Sequence, residues 1–138
     1  MTIGKEIYSA SLKANGKLHE DTLVEAYNYA NSLAHLDRFE EAKSLMRRTI
    51  PVAGRVLGEG NRLMLKMRWS YAEVLYTDDR ATLDDLREAA TTLEDTARIA
   101  RRVLGGAHPL TANIEDALQE AQTALHSSEA PLSETDTP

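Results

Sequence analysis

The chain contains no cysteine, so thiolate nucleophiles, disulfide frameworks and cysteine-rich zinc sites are excluded, and a reducing space such as the cytoplasm is the expected location. Glycine and proline are scarce, 7 and 4 in 138 residues, which argues against collagen-like repeats and wholesale disorder. Aromatic residues make up only 5%, and the balance of Ala and Leu over aromatic residues favours helix over sheet. Long apolar runs are missing as well. The N-terminal stretch MTIGKEIYSASLKANG carries Lys5, Glu6 and Lys13 and has no signal-peptide core, and nothing further on suggests a membrane span. Nor is there an excess of positive charge: Lys+Arg 16 against Asp+Glu 22 gives a net charge of -6, which disfavours nucleic acid and anionic lipid as partners. What is present, 42% hydrophobic residues in one domain-sized chain, is enough for a real core, because about two thirds of the unfolded surface can be buried at this length. The expectation is a soluble, all-α, globular protein.

The chain repeats itself. Arg47 to Gly58 reads RRTIPVAGRVLG and Glu94 to Gly105 reads EDTARIARRVLG; they agree at Thr49/Thr96, Ala53/Ala100 and the four residues ending in Gly58/Gly105, an offset of 47. A second register, offset 42, pairs Leu23/Leu65, Tyr29/Tyr71, Ala30/Ala72 and Leu33/Leu75. The difference of five residues places an insertion between Tyr76 and Asp85. The repeating unit is therefore a helix pair of about 42 residues whose inner turn is longer in the second copy.

End signals give the boundaries. Thr82 and Asp85 form a capping box, Asp37 is placed to cap the run that follows it, and Gly58 and Gly105 close helices with basic last turns. Six helices are expected, at about 3–14, 20–35, 38–57, 62–77, 83–104 and 110–126, with a kink at Pro51. Residues 1–126 then form one helical domain, and 127–138, SEAPLSETDTP after Ser127, a disordered acidic tail. Ala30, Ala42, Ala72 and Ala89 are small residues suited to close helix crossings, and Leu33, Phe39, Met46, Leu75, Leu86 and Leu93 fill the space between helices. The last helix sets Ile114, Ala117, Leu118, Ala121 and Leu125 against a polar face, and the first sets Ile3, Ile7, Ser11 and Leu12 against another. Both ends read as caps, and the chain as a monomer.

Gly16, His19, Thr22, Leu23, Tyr27, Asn28 and Ala30, then Arg38-Phe39-Glu40-Glu41-Ala42, then Val56-Leu57-Gly58 make a pattern that resembles the long tetratricopeptide repeats (TPRs) of kinesin light chain-like proteins. A third unit opens with Leu104, Gly105, His108, Pro109 and Thr111. The second unit departs, with Asn61 for the family His, Met64 for Thr and Ser70 for Asn. The resemblance covers about residues 10–126 and implies a TPR-like α-solenoid of about six antiparallel helices. It also implies that the first helix of each pair lines a concave face that binds a protein or peptide.

By that resemblance the concave positions are Val24, Tyr27, Asn28, Asn31 and Ala34 in the first unit, Lys66, Trp69, Ser70, Glu73 and Tyr76 in the second, and Asn113, Asp116, Glu120 and Thr123 on the last helix. The partner-binding set is Tyr27, Asn28, Asn31, Lys66, Trp69, Ser70, Glu73, Asn113, Asp116 and Glu120. Asparagine amides can donate and accept to an extended backbone. Tyr27 and Trp69 also fall on apolar stripes, so core packing competes with ligand contact there, as a solvated face does for Asn28 and Asn31. Lys66 stands nearly alone beside Glu73, Asp116 and Glu120, which points to a neutral or basic ligand.

Other chemistry finds little support. His19, His35, His108 and His126 have no helical partner spacing for a metal, and two of them stand at helix starts, where capping is the simpler role. Gly58-Glu59-Gly60-Asn61 lacks the strand and the Lys-Ser/Thr of a phosphate loop. No nucleophile, base and orienting acid fall in order, so no enzyme and no cofactor are expected. Arg47, Arg48 and Arg55, with Arg98, Arg101 and Arg102, read as a salt-bridged solvated face. The expected function is a protein interaction module with a concave groove; the alternative is a structural or linker subunit that uses its convex face and tail.

Overall fold

The computed structural model describes residues 2–16 and 19–129, with side chains from residue 4 onward. The helices are α1 (Thr2–Asn15), α2 (Glu20–His35), α3 (Phe39–Leu57), α4 (Arg62–Thr77), α5 (Leu83–Leu104) and α6 (Pro109–Glu129). No strand occurs among the described residues. The fold is an all-α, TPR-like solenoid. α2, α4 and α6 pack on one another as an inner layer, while α1, α3 and α5 lie outside them, each against its sequence neighbours.

Two near-identical hinges turn α3 into α4 and α5 into α6. Gly58 and Gly105 sit at φ 85°, ψ 154° and φ 90°, ψ 155°. That combination belongs to a region open essentially to glycine alone. Gly16 also has a positive φ, 80°. Three residues after each glycine stands the N-cap. His19 Nδ1 accepts from the Asp21 N–H at 3.0 Å, Asn61 Oδ1 from the Leu63 N–H at 2.8 Å, and His108 Nδ1 from the Leu110 N–H at 3.0 Å. The expected capping role of the two histidines holds, and Asn61, which breaks the sequence pattern, does the same job with an amide oxygen.

Of the remaining expected caps, one agrees and one differs. Thr82 and Asp85 form the reciprocal capping box. Asp37, expected to cap α3, instead has φ 60° and closes α2: its N–H donates to Ala34 O (3.0 Å) and that of Arg38 to Leu33 O (2.9 Å). That is a Schellman closure. The turn holds only Leu36, Asp37 and Arg38, so Asp37 is used up ending one helix, and Arg38 starts the next without a side-chain cap. α3 runs through Pro51 without a break. α6 continues to Glu129, whose carboxylate meets the Arg87 guanidinium at 3.2 Å. Ser127 to Glu129, expected in the tail, are thus helical; the rest of that expected tail lies outside the described residues.

The crossings are made by alanine. Ala30, Ala42, Ala72 and Ala89 are all 0–1% exposed, and Leu33, Met46, Leu75 and Leu93 fill the layer between helices. At the far end Ile114, Ala117 and Ala121 are buried, while Asn113, Asp116, Gln119, Gln122 and Thr123 are exposed. α1 differs from expectation: Ile7 and Leu12 are 45% and 39% exposed, and its packed stripe is Gly4, Tyr8 and Ser11. Gly4 lies against Tyr29, the Tyr8 and Tyr29 rings are 6.1 Å apart, and Ser11 O accepts from the Thr22 hydroxyl. The hinge register explains the change, since this stripe stands where Met46, Ile50 and Ala53 stand on α3.

Of the five inserted residues, two lengthen the turn after α4 and three lengthen α5. The longer turn is anchored from inside. Lys43, only 5% exposed, lies 2.5 Å from Glu40 and 3.9 Å from the buried carboxylate of Asp78, which also accepts from the Arg80 backbone N–H at 3.0 Å. Burial alone pushes the Asp78 carboxyl up, but Arg80, through its backbone and side chain, and Lys43 together hold it below its ordinary value.

Two sets of variants test these features. Gly105→Ala is expected to cost about 2 kcal/mol and His108→Ala about 1 kcal/mol, while His108→Asn stays near wild type because Asn61 already serves in that role; urea unfolding of the three checks the order. Lys43→Ala is expected to cost about 3 kcal/mol by stranding a buried charge. A carboxyl with a depressed pKa stabilises the fold above its unfolded value and loses that contribution as pH falls through the folded one. The stability advantage of wild type over Asp78→Asn should therefore be level above about pH 5 and shrink through about pH 4 and below.

Candidate functional site

The hinge register places the candidate residues in rows across the inner layer. Val24, Lys66 and Asn113 are equivalent, as are Tyr27, Trp69 and Asp116, then Asn31, Glu73 and Glu120, then Ala34, Tyr76 and Thr123. The rows change in character along the solenoid, from amide and phenol on α2 through indole and carboxyl on α4 to carboxylates on α6.

Five of the ten candidates meet in one depression. Trp69, Glu73, Asn113, Asp116 and Glu120, with Ala117 as floor, surround a cavity of about 280 Å³ between α4 and α6. Ser70 and Tyr27 are joined by their hydroxyls at 3.4 Å across α4 and α2. The remaining three stand apart. Asn28 is exposed and its amide donates to Glu25 Oε1 at 3.4 Å, Asn31 is half-buried, and Lys66 is exposed. Tyr27 and Trp69 are each half-buried and packed against core side chains, as the core-packing reading expects.

The depression is electrically one-sided. Among the described residues none of Glu73, Asp116 and Glu120 forms an ion pair. Burial raises the Glu73 carboxyl above its ordinary value and the charge of Glu120 raises it further, with the Trp69 indole opposing. The Trp69 N–H is buried and reaches no acceptor in full hydrogen-bond geometry; its effect on Glu73, one turn along, is that of a nearby dipole. Tyr76 donates to Glu120 Oε1 at 2.9 Å, and its phenol is pushed up by burial and by that carboxylate. What this arrangement can do chemically is attract a cation or accept hydrogen bonds. It has no nucleophile paired with a base.

A second polar group lies on the outer side and escaped the sequence reading. Tyr71 donates to Glu88 and accepts from Arg47 Nε at 2.8 Å, tying α3, α4 and α5 together. Burial, then the Glu88 hydrogen bond, pushes the phenol up to about 12. The Tyr29/Tyr71 repeat was visible in sequence, but the partners come from two other helices. Of the basic clusters, Arg98 pairs with Asp95 and Arg101 with Glu115. No group of three His or acidic side chains suited to a metal occurs among the described residues, and none of their helices is long and apolar enough to cross a membrane.

Comparison with known proteins agrees with this geometry over part of the chain. No curated protein matches the sequence. Residues 26–62 match the tetratricopeptide repeat family, a segment that runs from the middle of α2 through α3 and the Gly58–Asn61 hinge to the first residue of α4. That segment is thus similar to a tetratricopeptide repeat, a kind of repeat that serves generally in protein–protein interaction.

Proposed function

We propose that the protein is an interaction module that binds an extended, basic or neutral segment of a partner protein along the inner layer, with a Lys or Arg side chain seated between Trp69 and the carboxylates of Glu73, Asp116 and Glu120. The observation that carries this reading is the set of three carboxylates, without a cationic partner among the described residues, gathered beside an aromatic ring in the α4–α6 depression. A bound cation would relieve the repulsion between Glu73 and Glu120 and stack on the indole. Ser70, Tyr27 and Asn31 would meet the backbone of the segment further along, and Lys66 and Asn28 would lie at the rim. The roughly 42-residue unit with its Gly-x-x-His opening supports a kinesin light chain-like subtype, the polar face of α6 supports a monomer, and the lack of cysteine supports a cytoplasmic setting.

The test uses arrays of Lys- or Arg-containing peptides against their Glu-containing counterparts, followed by titration of the best binders. Glu73→Lys or Asp116→Lys is expected to weaken the basic peptides at least tenfold, and Asn28→Ala to change them little. Because burial and the charge of Glu120 raise the Glu73 carboxyl above its ordinary value, affinity for a basic peptide should rise with pH as that carboxyl ionises, above the ordinary carboxylate range. Preference for acidic peptides, or basic-peptide binding that is indifferent to both charge reversals, would refute the proposal.

A further inference from the structure

The seam between α1 and α3 on the outer layer contains a cleft of about 350 Å³, floored by α2. Its walls are Tyr8 and Leu12 on one side and Val52 on the other, over Leu23 and Ala26. The two threonine hydroxyls of the lining are occupied, Thr22 with Ser11 O at 3.0 Å and Thr49 with Leu45 O at 2.7 Å. The threonine hydroxyls are thus spent on backbone carbonyls, and the polar groups left to meet a ligand are those of Tyr8 and Arg48. Arg48 stands at the mouth, exposed, with only a long contact to Ser44 O at 3.4 Å. Among the described residues it has no carboxylate partner, since Glu40 and Glu41 are taken by Lys43 and Arg38.

The next seam along, between α3 and α5, shows what is missing. Where the first seam has Thr22 and Ala26, the second has Met64, fully buried, and Arg68, whose guanidinium crosses to Glu59. Where the first has Arg48 at the mouth, the second has Asp95, already paired with Arg98. The second seam is further tied by Arg47, Tyr71 and Glu88. The equivalent Lys5, Tyr29 and Glu41 form no such tie, because Glu41 is held by Arg38. One architecture therefore has a filled seam and an unfilled one, and the unfilled one is apolar inside with a free cation at its opening.

We propose that this cleft is a binding site for a single-chain aliphatic anion, a linear acyl carboxylate whose chain lies between α1 and α3 and whose head group meets Arg48. Its volume is at the small end of ligand sites, about 300–1,000 Å³. Leu23 and Ala26 at its floor are only 2% exposed, so the slit is narrow and suits an unbranched chain better than a broad ring. The charge at the mouth selects an acid over an alcohol or an amine. This site is on the opposite layer from the groove and stands or falls independently of it.

Titration calorimetry of the full chain with octanoate, decanoate and dodecanoate below their micelle concentrations is the experiment, with decanol and decylamine as comparisons. Saturable one-to-one binding is expected, strengthening about fourfold per added methylene until the cleft is full, with decanoate at least tenfold tighter than decanol. Ala26→Leu, which places bulk where Arg68 does in the second seam, should abolish binding with the melting temperature unchanged or raised. Arg48→Glu, an exposed substitution that leaves the core intact, should lower decanoate affinity at least tenfold and favour decylamine. No saturable binding to wild type, equal binding of acid and alcohol, or decanoate binding that survives both Ala26→Leu and Arg48→Glu would each overturn the proposal.

Discussion

The structure depends on one local constraint, the hinge in which a glycine at positive φ is followed three residues later by a side chain that accepts from the start of the next helix. The backbone angles of Gly58 and Gly105 agree within about 5° in φ and 1° in ψ, so each hinge delivers the next inner helix at nearly the same orientation. The rows of the inner layer follow from it. Tyr27, Trp69 and Asp116 lie abreast because each is eight residues beyond an equivalent capping residue. Packing then needs only small side chains at the crossings, which the four alanines supply. In a solenoid, an angle set in one turn is copied into the shape of the whole surface.

The two faces of the stack use the same register for opposite ends. On the inner layer the changing residue in each row is a polar one, and the carboxylates gather toward α6. On the outer layer the changing residue is a filler, with Arg68 and Met64 in one seam and Ala26 and Thr22 in the other. Both the proposed groove and the proposed cleft arise from differences between repeats laid over a common frame. The family match over residues 26–62 speaks to that frame, while the chemistry lies in the departures from it.

Much of this was legible in the sequence, for identifiable reasons. Glycine stops and side-chain caps are local signals, so the bounds of α2, α4 and α5 agree with expectation residue for residue, and α3 differs by one. The insertion was located because both registers were visible on either side of it. The candidate site positions came from the family resemblance, and only five of the ten converge in one depression, since a shared helix face does not imply a shared cavity. Asp37 was misread because a three-residue turn leaves one residue to serve two helices, and the end of α2 claims it. The stripe on α1 was misread because apolar periodicity favours Ile7 and Leu12, whereas close approach to Tyr29 selects Gly4. The Tyr71, Arg47 and Glu88 group joins residues 24 and 17 positions apart, and no local pattern announces it.

The uneven packing of α1 has a consequence for how the molecule comes apart. Among the described helices α1 has close backbone packing with α2 alone, whereas α4 and α5 are held from both sides and α6 is pinned at its end by Arg87. In a linear array each unit is stabilised by its own helices and its nearest neighbours. Opening therefore starts at α1 and travels toward α4, so amide protons on α1 exchange through cheap local fraying while those of α4 and α5 wait for global unfolding. Anything seated between α1 and α3 would act as a clasp on the weakest joint of the array.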